Sequence, residues 1–144
     1  MSVKAMVAIF GVPTEENLYE EDNDLHLVYA LSGIALFFGN HDGNFVLQGI
    51  EVSADCHCKL WGEKLFPTNR RQIEDLLKTK LISTELQLNP SPFVVHLEPD
   101  GGTRLDIDQL GMLFYFDREG KLQEVNWGVC VDTNSDEYLW PEPC

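Results

Sequence analysis

Basic side chains are scarce in this sequence: 10 Lys and Arg stand against 24 Asp and Glu over 144 residues, a formal charge of -14 with the histidines neutral. Such a surface repels phosphate backbones and anionic lipid heads, which argues against nucleic-acid and membrane partners and for a basic protein as partner. Long hydrophobic runs are missing too. Charges, Gly or Asn interrupt each apolar segment well short of the roughly 18 residues that cross a bilayer as a helix. The run Ala5 to Phe10 is too short for the core of a secretory signal, so a soluble, cytoplasmic chain is expected. Catalytic signatures are also absent. No Ser stands in a Gly-x-Ser-x-Gly elbow, no His-Glu-x-x-His pair or Gly-rich phosphate loop occurs, and His26, His41, His57 and His96 are scattered. His41-Asp42 reads as part of a turn. No catalytic residue and no cofactor is expected.

Cysteine is limited to Cys56, Cys58, Cys130 and Cys144. Structural zinc sites usually separate paired thiols by two to four residues, whereas Cys56 and Cys58 flank a single His57. In a strand the two thiols share one face and the imidazole takes the other. Free thiols are therefore expected rather than a metal site or a thiol activated by His57. Asp106 and Asp108 share a strand face and could hold a hard cation, but a solvent-facing strand explains them equally well.

What the chain does possess is a core and an internal echo. Apolar residues make up 44% of it, ample for a folded chain of this length. Segments 24–38 and 102–116 superpose without a gap: Leu27 falls on Leu105, Gly33 on Gly111, Ile34 on Met112, Leu36 on Phe114 and Phe38 on Phe116. Each then meets a polar turn containing Gly, at 39–43 or 117–120, and a further strand, Phe45 to Ser53 or Lys121 to Trp127. The reading is a β-meander used twice, with tight turns at Gly33 and Gly111. Alternation sets Ile34, Leu36 and Phe38 against Ala35 and Phe37, and Met112, Phe114 and Phe116 against Leu113 and Tyr115. Both faces are rather apolar, so one suits helices and the other is partly covered or open to a partner.

The helices are read from spacing. Ile73, Leu76, Leu77 and Leu81 form an apolar stripe over Asn69 to Leu81, with Thr68 or Asn69 as cap and Gln72 in capping-box register. Val3, Met6, Val7 and Phe10 recur at helical spacing before Gly11 and Pro13, although β-branched residues leave a strand open there. Phe93 to Leu97, after Pro90 and Pro92, reads as an extra strand. The fold class expected is α+β: an antiparallel sheet built from two similar β-meanders, with one or two amphipathic helices packed on one face. The whole chain is taken as a single domain, with halves at about 1–66 and 67–144.

Charge is unevenly spread. Thr14 to Asp24 holds six acids and no base, and Glu98 onwards holds eleven acids against Arg104, Arg118 and Lys121. Lys59 to Lys80 instead carries six bases against three acids. A solvated face explains such runs. The functional alternative is a partner-binding surface in which Glu15, Glu16, Glu20, Glu21, Asp22, Asp136 and Glu137 form a charged rim around Tyr19, Tyr138 and Trp140 as anchors. For the C-terminal run the competing reading lays Leu139 and Trp140 over the core.

A short acidic chain, the phrase Gly33-Ile-Ala-Leu-Phe-Phe38 with its Gly-bearing hairpin, and an Arg-bearing amphipathic helix together resemble immunity proteins of bacterial toxin systems, including those of contact-dependent inhibition. The helix-and-meander layout is also similar to β-lactamase inhibitory proteins, which are secreted. The first resemblance implies a non-enzymatic protein that binds a toxin, most directly a nuclease domain whose cleft must be positive. It supplies no diagnostic motif and so no residue roles. The alternatives are a small metal-binding or thiol-dependent enzyme at Cys56 and Cys58, and a structural module of a larger assembly.

Overall fold

The computed structural model describes residues 1–83, 93–107 and 110–128, with backbone alone for 81–83 and for two short strands at 130–132 and 137–139. In chain order the elements are α1 (Val3–Phe10), β1 (Glu15–Tyr19), β2 (Asp24–Tyr29), β3 (Ile34–His41), β4 (Asn44–Ser53), β5 (Lys59–Leu60), β6 (Glu63–Lys64), α2 (Arg70–Ser83), β7 (Val94–Leu97), β8 (Thr103–Ile107), β9 (Met112–Phe116), β10 (Leu122–Gly128), β11 (Cys130–Asp132) and β12 (Glu137–Leu139). An eight-stranded antiparallel sheet runs β1-β2-β3-β4-β10-β9-β8-β7, and β5-β6 and β11-β12 form separate two-stranded sheets. This is an α+β architecture dominated by antiparallel strands. No helix among the described residues is long and apolar enough to cross a membrane.

Both helices start at a capping side chain. The Asn69 carboxamide accepts from the Gln72 N–H at 3.0 Å while the Gln72 carboxamide accepts from the Asn69 N–H at 2.9 Å, the reciprocal box read from spacing. Over Val3–Phe10 the helix wins over the strand because both ends are fastened. Ser2 Oγ accepts from the Ala5 N–H at 3.3 Å, and Gly11, at φ 83°, returns its N–H to the Val7 carbonyl at 2.8 Å.

The strand registers put Leu25, Leu27, Tyr29, Leu36, Phe38, Leu47, Val52, Leu105, Ile107, Met112, Phe114, Phe116, Leu122 and Val125 on one side of the large sheet, all of them buried. Met6 of α1 is buried with the members from β2 and β3 and with Leu47, and Ile73 and Leu77 of α2 with those from β8, β9 and β10 and with Val52. Ile34 and Ile50 touch both groups.

Gly33 and Gly111 both adopt left-handed φ, 60° and 58°. At Gly33 a Cβ would stand 2.8 Å from the Cys56 backbone nitrogen, so glycine is required there twice over. The hairpin expected at 39–43 is tighter than its sequence suggests. β3 and β4 run on to His41 and Asn44, leaving a two-residue turn with Asp42 and Gly43 at φ 52° and 81°. Asn40 Oδ1 clamps it by accepting from the Gly43 N–H at 2.9 Å.

Several backbone contacts recur in corresponding places. Ser53 N–H donates to the Gly33 carbonyl and Gly128 N–H to the Gly111 carbonyl, both at 2.8 Å. Ser2 bridges to Val46 and Asn69 to Lys121, while Leu47 N–H donates to the Met1 carbonyl and Leu122 N–H to that of Thr68. The β3-β4 and β9-β10 pairings each carry a one-residue irregularity at a glutamine, Gln48 or Gln123.

Candidate functional site

The side of the sheet that alternates with the buried residues carries the polar chemistry. Starting from the β1 edge it presents Glu15, Asn17 and Tyr19, then Asp24, His26 and Val28, then Ala35 and Phe37, then Gly49 and Glu51. Beyond the central β4-β10 pair come Glu124 and Asn126, Leu113 and Tyr115, Arg104 and Asp106, and at the far edge Val94 and His96.

Three rings lie side by side on adjacent strands, His26 directly opposite Phe37 and Tyr19 diagonal to His26. Tyr19 and His26 have centroids 4.5 Å apart, and His26 meets Phe37 edge-on at 4.6 Å. Gly49 completes the platform, because a Cβ there would stand 3.6 Å from the Phe37 ring. The row therefore starts under the sheet centre and ends at Tyr19, which is 46% exposed on the edge strand.

Acidic groups surround that end. Glu15 shares the face of Tyr19, Glu16 points to the other side of β1, and Glu20, Glu21 and Asp22 occupy the β1-β2 turn, all exposed. None of these five forms an ion pair among the described residues. The basic stretch differs. Arg70 and Lys78 both reach Glu74, at 2.7 and 3.9 Å, and Lys78 lies 5.8 Å from the Phe93 ring centroid. Positive charge is thus partly satisfied within the chain, whereas the acids at the β1 edge face solvent.

In the middle of the same side, Asn126 donates to Glu124 at 3.0 Å, and its own buried Oδ1 has no hydrogen-bond partner among the described residues. Burial, together with the charge of Glu124, pushes the Glu51 carboxyl above its usual range. Towards the far edge, Asp106 accepts from Arg104 at 2.6 and 3.0 Å and lies 3.1 Å from His96, and Glu98 lies 3.4 Å from Arg104. That network holds Asp106 in an ion-pair role. Asp108, the other half of the carboxylate pair considered for a cation, lies outside the described residues.

Of the sequence-derived binding residues, Glu15, Glu16, Tyr19, Glu20, Glu21 and Asp22 come together at one edge. Asp136 and Trp140 lie outside the described residues, and Glu137 and Tyr138 fall in β12, described by its backbone alone. Sequence reading left out His26, Phe37 and the Glu51-Glu124-Asn126 group, which meet only through strand register. Cys56, His57 and Cys58 lie in the loop between β4 and β5 and not in the strand expected from their spacing, yet their burial alternates: Cys56 is buried, Cys58 half-buried and His57 exposed. Burial and a hydrogen bond with Cys56 push the Cys58 thiol up to about 12, the direction opposite to that of a reactive thiolate. Among the described residues no cluster of metal-ligating side chains is found.

No family model and no curated protein matches the chain. Among solved structures it is similar to a cysteine-rich secretory protein from Staphylococcus aureus, at 11% identity and a TM-score of 0.44 over 87% of this chain. The chain spans 41% of that protein's length. A likeness of this degree carries no argument about activity.

Proposed function

We propose that the chain is a non-catalytic binding protein that acts in the cytoplasm by covering a basic surface of another protein, most directly a toxin nuclease domain. The observation that carries this reading is the Tyr19-His26-Phe37 row, which ends in an exposed ring among five acids that form no ion pair among the described residues. Charge of that sign accelerates encounter with a cationic cleft, and a ring anchored by its neighbours loses little freedom on contact. A nuclease cleft must be positive to hold phosphate, so an anionic blocker competes directly with its substrate.

We read the scaffold as a single domain of two related halves, about 1–66 and 67–144, each a helix laid on the same side of its own meander. Supporting this are the paired Gly33 and Gly111 contacts, the matching bridges from Ser2 and Asn69, and the irregularities at Gln48 and Gln123.

Immobilised wild-type chain offered purified basic nuclease domains, with acidic proteins of equal size as controls, tests the functional reading. Tyr19→Ala and the double change Glu15→Gln/Glu16→Gln should each weaken capture about tenfold, equivalent to about 1.4 kcal/mol, with thermal melts unchanged. Equal affinity of the variants, or no preference for basic proteins, would overturn it.

A further inference from the structure

We infer that the open side of β1 accepts a ninth strand, an extended basic segment of the partner that pairs antiparallel with Glu15–Tyr19. This deepens the reading above and rests on it, since it says how the cationic partner is held. β1 is the terminal strand of the sheet and bonds to β2 alone, through five paired residues. On its other side no hydrogen-bond partner occurs among the described residues. Such an edge presents a row of main-chain donors and acceptors that is a template for another strand.

The side chains on that edge select what can join it. Glu15 and Glu16 project to opposite sides, so an added strand meets a carboxylate whichever way its own side chains point. Glu20, Glu21 and Asp22 follow directly. A second copy of this chain pairing antiparallel along the whole of β1 would set its Tyr19 and Leu18 opposite Glu15 and Glu16, with its Glu21 and Glu20 on the diagonals, so like charges lie close across the seam and oppose pairing. A cationic strand meets the reverse situation. The acids therefore guard the edge against self-association and open it to basic chains.

The order of residues also specifies a pattern. Leu18 is 55% exposed and Tyr19 46%, on opposite sides of the strand, and both would be covered by apolar neighbours on an added strand. An antiparallel strand, the arrangement of every pairing in this sheet, passes Tyr19 and Leu18 first, then Asn17, then Glu16 and Glu15. Read from its N-terminus, the segment that fits is apolar, apolar, polar, basic, basic. The side chain next to Tyr19 also extends the ring row from His26 and Phe37 by one position.

The test uses the whole chain and the capped synthetic peptide Lys-Ile-Val-Thr-Lys-Arg-Thr, followed by isothermal titration calorimetry. Two further peptides carry N-methyl groups on alternate amides, one on the odd and one on the even positions. Methylation on the side facing β1 removes the main-chain bonds, so one peptide should lose about tenfold in affinity while the other stays within about twofold of the parent. The peptide with the reversed sequence should bind more weakly, and Glu15→Gln/Glu16→Gln should weaken all of them. If both methylated peptides bind like the parent, strand addition is overturned while the acidic-surface reading stands. Strand addition is likewise overturned if the parent peptide fails to bind although basic nuclease domains are captured. If neither peptide nor basic protein binds, both readings fall. A reversed peptide equal to or tighter than the parent overturns the antiparallel pairing.

Discussion

At Glu51 the sheet half-buries a carboxyl within reach of the charge on Glu124, and both effects raise its pKa. A carboxyl whose folded-state pKa lies above its unfolded value favours the fold while it is protonated and works against it once ionised. Its contribution is therefore fully present below the unfolded pKa and is lost as pH rises through the folded one. Glu51→Gln should raise the melting temperature at neutral pH, and the gain should vanish in acid below the carboxylate range. Melts of both proteins across that range check this, and a gain independent of pH would point to packing instead. Gly33 makes the opposite case. With φ 60° and the Cys56 nitrogen in the way of a Cβ, Gly33→Ala should cost about 2 kcal/mol in denaturant unfolding. The two residues also differ in how legible they were. Gly33 announced its turn because its requirement is local, and its match with Gly111 doubled the signal. Glu51, Glu124 and Asn126 meet only after β4 has paired with β10, and no local pattern in either segment points to the other.

Among the elements, α2 shows how fully a local chemical rule can place a start. Its cap depends on two side chains and two backbone donors three residues apart, so the sequence contains the whole device. Asn69→Ala should destabilise the fold by about 1 kcal/mol, read from the denaturant midpoint at unchanged slope, with Asn69→Asp retaining most of the stability. β1 was missed for the opposite reason. Glu15, Glu16 and Asn17 have low strand propensity, and only pairing with the apolar β2 draws them into the sheet. The strand that carries most of the candidate site was thus the one whose own residues argued least for it. The acidic composition identified the residues, but not their arrangement on an edge. β5 and β6 were missed as well, being two residues each with Trp61 at φ 50° in the turn between them.

For the whole molecule, the proposed binding makes charge the term that sets the kinetics. The acids of the β1 edge are exposed and form no ion pair among the described residues, so under the proposed function their field reaches a partner before contact. Raising ionic strength from about 0.05 to about 0.5 M should slow association with a basic nuclease domain markedly while leaving dissociation nearly unchanged. Stopped-flow traces separate the two, and a salt effect confined to dissociation would place the charges in the bound contact instead. The sign of that field was plain from composition. Its location relative to the rings required the topology, because Tyr19, His26 and Phe37 come from three strands. The sharing of Ile34 and Ile50 between the two buried groups, with five residue pairs joining β4 to β10, has an outcome for the severed polypeptide. A break between residues 66 and 67 would leave each fragment with a bare inner strand whose natural mate is on the other piece. Co-expressed fragments should therefore reassemble and co-elute, as the parts of a split reporter do, while either one produced alone should precipitate.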